Sequence, residues 1–222
     1  MNFAEALSFT FEDSDWLKKM AIGGALNFAG WFMGLFFITG IFTLGYFVLI
    51  ISNVYKNNKP ELPGWNEISA IFVDGLVGGI VMLLYFLMVA IIITPIIIDL
   101  AMNDSMSDLS QGLTIASVAV LGVIVLSVLS NLGLIVWATS KNFVLAINPI
   151  AVLKLTHNYL GALIGILVFT FILNSILFFG GLAIVSPFFL FWGAAVQAHL
   201  FGQVARECFS ESAPIANAVA AE

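Results

Sequence analysis

From Met20 to Tyr55 the chain carries no charged side chain. A straight helix over that stretch would be about 54 Å long at 1.5 Å per residue, against a hydrocarbon core of about 30 Å. It is too long for one ordinary span and just long enough for two short ones. Further apolar runs follow at roughly 71–98, 112–139, 158–179 and 182–205, each long enough to cross a bilayer. With 61% of residues apolar and 9% charged, against about a quarter charged in a soluble domain, the solvent for this chain is lipid. The expected class is all-α, a polytopic integral membrane protein.

Charge decides whether the first run crosses once or twice, because Lys and Arg are retained on the cytoplasmic side. The seven basic residues are Lys18, Lys19, Lys56, Lys59, Lys141, Lys154 and Arg206. If the run turns back, all seven share one face; if it crosses once, Lys18 and Lys19 are stranded opposite the other five. The sequence therefore predicts a reversal near Ile38 to Gly40, where Thr39-Gly40 offers turn chemistry. It predicts six transmembrane helices arranged as three hairpins with short interfacial helices, and both termini in the cytoplasm. The 98–112 stretch, with Asp99, Asp104 and Asp108 and no basic residue, falls on the opposite side. Residues 1–19 read as an amphipathic interfacial segment and 20–206 as the transmembrane domain. Residues 207–222, which lack a periodic apolar pattern, read as a disordered cytoplasmic tail.

Three segments repeat one theme, a short amphipathic stretch leading into a Gly-rich span: FEDSDWLKKMAIGG, LPGWNEISAIFVDGLVGG and NPIAVLKLTHNYLGALIG. Asn148-Pro149 reads as an N-cap followed by Pro at the first helical position, and Asp13 or Ser14 offers a similar cap. Trp16, Trp65 and Tyr159 are expected at headgroup depth. The segments FEDSDW (Phe11 to Trp16), IGG (Ile22 to Gly24), Gly45-Tyr46 and LPGWNEISAIFVDGL (Leu62 to Leu76) resemble the bacterial and archaeal membrane proteins grouped as domain of unknown function 4013. The likeness covers most of residues 8–207. It implies a multi-helix protein of a prokaryotic inner membrane and brings no assigned activity. Two departures stand out: Gly64 replaces the usual acidic residue between Pro63 and Trp65, and FVLIISNVYKNN has only Lys56 where the family carries arginines.

Chemistry-bearing motifs are sparse. The thirteen carboxylates avoid the spans, with only Asp74 and Asp99 touching their ends. Neither a His-Glu-x-x-His pattern, a Gly-x-Ser-x-Gly elbow nor a phosphate-binding glycine loop occurs. Cys208, the single cysteine, excludes an internal disulfide and a cysteine-based metal cage. No catalytic residue, metal or cofactor is expected, and a net charge of −6 offers no surface to nucleic acid. Asp74 reads as an interfacial carboxylate: either an ion or headgroup ligand, or a partner for neighbouring helix ends or for Lys19 or Lys154. Asn27, Asn131, Gln197 and His199 form a polar intramembrane layer that either lines a solute pocket or bridges helices. The small-residue pairs Gly30/Gly34, Gly75/Gly79, Gly161/Gly165 and Ala198/Gly202 are expected to pack helices closely. A stripe left outward would meet a second copy or a larger membrane complex, and membrane lipids surround the rest. The functional expectation is a scaffold, accessory or membrane-organising component without enzymatic activity, with a small-solute transporter or channel as the competing class.

Overall fold

The structure, a computed structural model, describes residues 1–56, 62–102, 107–180 and 185–219, with side chains through Phe209. Every described element is helical: α1 (Phe3–Glu12), α2 (Trp16–Met33), α3 (Phe36–Lys56), α4 (Ile68–Ala101), α5 (Asp108–Ser140), α6 (Phe143–Ile147), α7 (Pro149–Thr156), α8 (Leu160–Gly180) and α9 (Ser186–Val219). A single 3-10 turn, His157–Tyr159, joins α7 to α8. Side-chain caps start several of these: Asn2 accepts from the Glu5 amide, Asn142 from the Leu145 amide, and Asn148 from the Ile150 and Ala151 amides ahead of Pro149. Each satisfies a first-turn N–H that the helix itself leaves unpaired.

Five stretches are long and apolar enough to cross a membrane: Phe36–Lys56, Ile68–Ala101, Asp108–Ser140, Pro149–Gly180 and Ser186–Phe209. The expected count was six, and α2 is the helix that drops out. Its 18 residues open with Lys18 and Lys19 and include Asn27, so the uncharged part, Met20 to Met33, is only about 21 Å long. The reversal between α2 and α3 does occur, but at Gly34-Leu35 rather than Ile38 to Gly40. Gly34 adopts φ 70° at the end of α2, a left-handed conformation that glycine takes without a Cβ clash. Thr39 instead bonds back along its own helix, its hydroxyl donating to the Leu35 carbonyl at 3.0 Å.

The centre of the bundle is α3 and α9, whose Tyr46, Ile50, Ile51, Leu200 and Phe201 are fully buried. Around them the contacts fix the register of each hairpin. Gly75 of α4 lies against the Ile41 carbonyl of α3, and Gly45 of α3 against the Ile71 carbonyl of α4. The two helices are therefore antiparallel, and the tip residues Phe36 and Phe37 line one cavity with Gly79 and Met82. Beyond Met82, α4 continues to Ala101, about 28 Å further. Among the described elements α6 meets it at Tyr85, and past that level α5 accompanies it, with Gly122 against Ile93 and the Gln111 amide donating to the Leu100 carbonyl at 2.9 Å. The tip of the α8–α9 hairpin lies level with that of α2–α3, since Trp31 meets Phe178 and the Asn27 amide donates to the Pro187 carbonyl at 3.3 Å. One two-helix arm thus projects well past two shorter, blunt hairpins.

The amino-terminal segment, expected to lie in the interface, has its first helix docked along α9. The Met1 ammonium pairs with Glu207 at 3.2 Å, the Asn2 amide donates to Gln203 at 2.6 Å, and the Trp192 indole donates to Thr10 at 3.0 Å. Ala6, Phe9 and Thr10, one face of the helix, are buried by this. The segment expected to be a disordered tail starts inside the bundle: Cys208 is buried and its thiol donates to the Leu155 carbonyl at 3.0 Å, Phe209 stands edge-on to Tyr55, and α9 continues to Val219. Residues 220–222, Lys59, Asp104 and Ser105 lie outside the described residues.

Candidate functional site

Two polar centres are built inside this apolar bundle. The first is a knot of charges and aromatics where α1, α2, α3 and the 62–67 segment meet. Lys19 donates to Asp13 at 2.7 Å and to the Leu62 carbonyl at 2.9 Å, and the Leu62 amide donates to the other side of the same pair, Asp13 Oδ2, at 3.2 Å. The Trp65 indole donates to the Lys19 carbonyl at 2.9 Å, and its ring stacks on Tyr46 with centroids 4.6 Å apart. Nearby, Asp74 at the start of α4 is buried and accepts from Lys141 at 2.6 Å. Its partner is therefore neither Lys19 nor Lys154. Lys141 ends α5 in the left-handed conformation, φ 53°, and its ammonium also lies over the Trp137 ring at 5.2 Å, a cation–π contact.

The contacts of the knot join the sequence segments FEDSDW, Gly45-Tyr46 and LPGW, and the close approach of Gly45 to Gly75 adds FVDGL, all far apart along the chain. Trp16 and Trp65 are half-buried and held edge-on to Phe11 and flat on Tyr46 respectively, so both serve packing. Burial pushes the Asp13 carboxyl upward, but the Lys19 ammonium and the Asp15 and Leu62 amides outweigh it and hold it below the ordinary carboxylate range. A carboxyl depressed in the fold contributes stability above its unfolded pKa and loses it as pH falls through the folded value. Acidification below about pH 4 is therefore expected to release the 62–67 segment, read as a loss of Trp65 burial by fluorescence quenching. Asp13→Asn should abolish that pH dependence and cost about 1–3 kcal/mol at neutral pH.

The second centre is a cavity of about 790 Å³ among α2, α3, α4, α5 and α9. Asn27, Asn131 and Gln197 all line it, with Thr39 and Thr43. The Thr43 hydroxyl lies 3.1 Å from Asn27 Oδ1 and the Asn131 amide donates to the Ser127 carbonyl of its own helix at 2.7 Å. The Gln197 side chain makes no hydrogen bond to another described residue. His199 is not part of this group: it is fully buried against the Phe9 ring, 4.3 Å between centroids, and lies 3.1 Å from the Gln203 amide. The mouth is formed by Trp31, Phe36, Phe37 and Met82, all exposed and apolar.

The glycines divide sharply. Gly30 meets Thr39, Gly75 the Ile41 carbonyl and Gly202 the Val54 side chain, and Ala198 is buried. Gly79, Gly161 and Gly165 face open space, and Gly34 serves the turn, so these four do not hold helices together. Close approaches that four-residue spacing missed are Gly45 against Ile71, Gly23 and Gly24 against Phe191 and Phe188, and Gly133 against Tyr85. The Tyr85 hydroxyl donates to the Ala146 carbonyl at 2.9 Å, tying α6 to α4.

A family model described as protein of unknown function (DUF4013) matches residues 28–186. The chain belongs to that family. The DUF4013 match takes in the α2–α3 turn, Gly45-Tyr46, the LPGW segment, Asp74, Lys141 and the turn into α9, while FEDSDW and most of α9 lie outside it. Half of the Asp13–Lys19–Leu62–Trp65 knot is therefore inside the DUF4013 region and half is supplied by the preceding segment. No curated protein and no solved structure matches the chain.

Proposed function

We propose that this DUF4013 protein is a non-enzymatic accessory or membrane-organising component of a prokaryotic cytoplasmic membrane, with both termini cytoplasmic and only α4–α5 crossing completely. The observation that carries this reading is the unequal reach of the hairpins. From Asp74 to Asp99 along α4 is about 37 Å, a hydrocarbon core plus part of the headgroup zone. The α2–α3 tip stops about 12 Å past the level of Asp74. There Phe37 is 90% exposed, and Phe179 at the neighbouring α8–α9 tip is 84% exposed. Apolar surface of that extent disfavours water at about 25 cal/mol per Å², which supports placing both tips among acyl chains of the near leaflet.

Parity supports the same placement. The Met1–Glu207 pair holds the amino terminus beside the far end of α9, which requires an even number of crossings; five complete ones cannot give that, and two can. The described basic residues all lie on the Asp74 side, away from the α4–α5 turn, as cytoplasmic retention of Lys and Arg requires. Four helix ends in one leaflet against two helices in the other make a wedge, a shape that loads one leaflet. The charged side chains hold helices together: Asp13–Lys19, Asp74–Lys141, and Arg206, which donates to the Val54 carbonyl at 3.1 Å.

Introduced cysteines test the placement, because the native Cys208 is buried and silent. In intact cells an impermeant maleimide should label Asp108→Cys, should reach Lys18→Cys only after permeabilisation, and should miss Phe37→Cys in both conditions. Labelling of Phe37→Cys from outside would restore complete crossing by the α2–α3 hairpin and overturn the proposal. The transporter reading has the Asn27–Asn131–Gln197 cavity in its favour. Purified protein in liposomes should show solute flux no higher than empty vesicles; flux abolished by Asn131→Leu would replace the present reading with transport.

A further inference from the structure

We propose that the cavity walled by Asn27, Thr43, Asn131 and Gln197 is a binding site for an uncharged, hydroxyl-bearing lipid of the diacylglycerol class. The inference rests on the bilayer placement above. Three features of the cavity select such a ligand. Its mouth, between Trp31, Phe36, Phe37 and Met82, is apolar and exposed, and with the tips inside the near leaflet it opens onto acyl chains and not onto water. Its wall carries the polar side chains Asn27, Thr43, Asn131 and Gln197, and the Gln197 amide has no hydrogen-bonding partner among the described residues while Asn131 Oδ1 accepts none. A polar group without a partner in an apolar surround is costly, so this wall is completed by a molecule that enters from the lipid side carrying its own donor and acceptor.

The third feature is charge. Among the described lining residues there is neither a Lys, an Arg nor a carboxylate. An anionic phospholipid head drawn into the cavity would lose water without gaining a counter-charge. A free glycerol hydroxyl suits the wall, which offers it an acceptor in Asn131 Oδ1 and a donor in the Gln197 amide; the Thr43 hydroxyl is already donated to Asn27 Oδ1 and the Thr39 carbonyl, so an ester carbonyl accepts from the second N–H of the Asn27 amide. The acyl chains leave through the mouth. Gly79 and Gly40, which line the cavity and would seat a Cβ with nothing within 4 Å, keep that exit wide.

Photolabelling tests this. The full chain is reconstituted in liposomes with a diacylglycerol bearing a diazirine on one acyl chain, or with a phosphatidylglycerol bearing the same chain, and adducts are mapped by mass spectrometry. Diacylglycerol should label peptides containing Phe36 to Phe47 or Ser127 to Leu134 saturably, and unlabelled diacylglycerol should compete. Gln197→Leu should reduce this labelling at least fivefold, as should Gly79→Leu, which adds bulk to the cavity wall where a Cβ meets nothing within 4 Å and keeps the test open if the first variant fails to fold. Equal labelling by phosphatidylglycerol, labelling that does not saturate, or labelling unchanged in a folded Gly79→Leu protein would each overturn the proposal. Maleimide labelling of Phe37→Cys reports the placement separately, so a misplaced bilayer and an unoccupied cavity give different results.

Discussion

Gly75→Ala should destabilise the detergent-solubilised protein by about 3 kcal/mol or more, lowering its melting temperature by roughly 6–12 °C, or prevent folding altogether. The reason lies in backbone geometry. A Cβ at Gly75 would sit well inside contact distance of the Ile41 carbonyl oxygen and 2.9 Å from the Gly45 nitrogen. A rigid main chain on the opposing helix cannot rotate away as a side chain would, so α3 and α4 would have to separate. Close backbone approach is what holds helices together in lipid, where no hydrophobic force acts between them. Gly45→Ala should behave the same way against the Ile71 carbonyl. Gly79→Ala, one turn along the same helix and with nothing within 4 Å, should be neutral or stabilising by up to about 1 kcal/mol through helix propensity. Thermal denaturation of the three variants side by side checks the contrast, and a similar loss at Gly79 would remove the close-packing account.

The second large effect is expected at the Asp74–Lys141 pair. Lys141→Ala leaves a carboxylate that is 6% exposed without its cation. Removing one partner of a fully buried pair costs about 3–5 kcal/mol. Here the figure is discounted to about 2–3 kcal/mol, because the Lys141 side chain is 40% exposed and water screens it. Asp74→Asn keeps a hydrogen-bond acceptor and should cost less. The double variant Asp74→Asn with Lys141→Ala should recover much of the loss, since no unpaired buried charge remains; a double-variant cost equal to the sum of the two single costs would show that the pair is not coupled. The Lys19 and Lys154 side chains should leave Asp74 unaffected when replaced.

Much of the helical content was legible in the sequence because helix formation and partition into lipid are governed by local composition. Uncharged runs identify the apolar stretches, Asn148-Pro149 marks a helix start, and the absence of charge between Met20 and Tyr55 together with the basic residues at its ends required a reversal within it. The same reasoning grouped Asn27, Asn131 and Gln197, which line one cavity. It could not separate His199 from them, because depth along a helix says nothing about which way a side chain faces. It also placed the turn four residues late, because Thr39-Gly40 offered the best turn chemistry in the run; which glycine takes the left-handed conformation depends on where α3 seats against α4.

Membership in an apolar stretch was therefore written in the sequence, and reach was not. The α2–α3 tip ends level with Met82 because Gly45 and Gly75 interlock, and that register is a contact between residues thirty positions apart in the chain. Likewise Asp74 found Lys141, distant in sequence, in preference to nearer cations. In water, burial leaves a period in the pattern of apolar residues; in lipid, the face toward a neighbouring helix and the face toward acyl chains are both apolar, so the pattern carries little record of which is which. Gly75 and Gly79 look alike in the sequence for that reason. Only the docking of α3 against α4 makes one an essential contact and leaves the other at the edge of an open cavity.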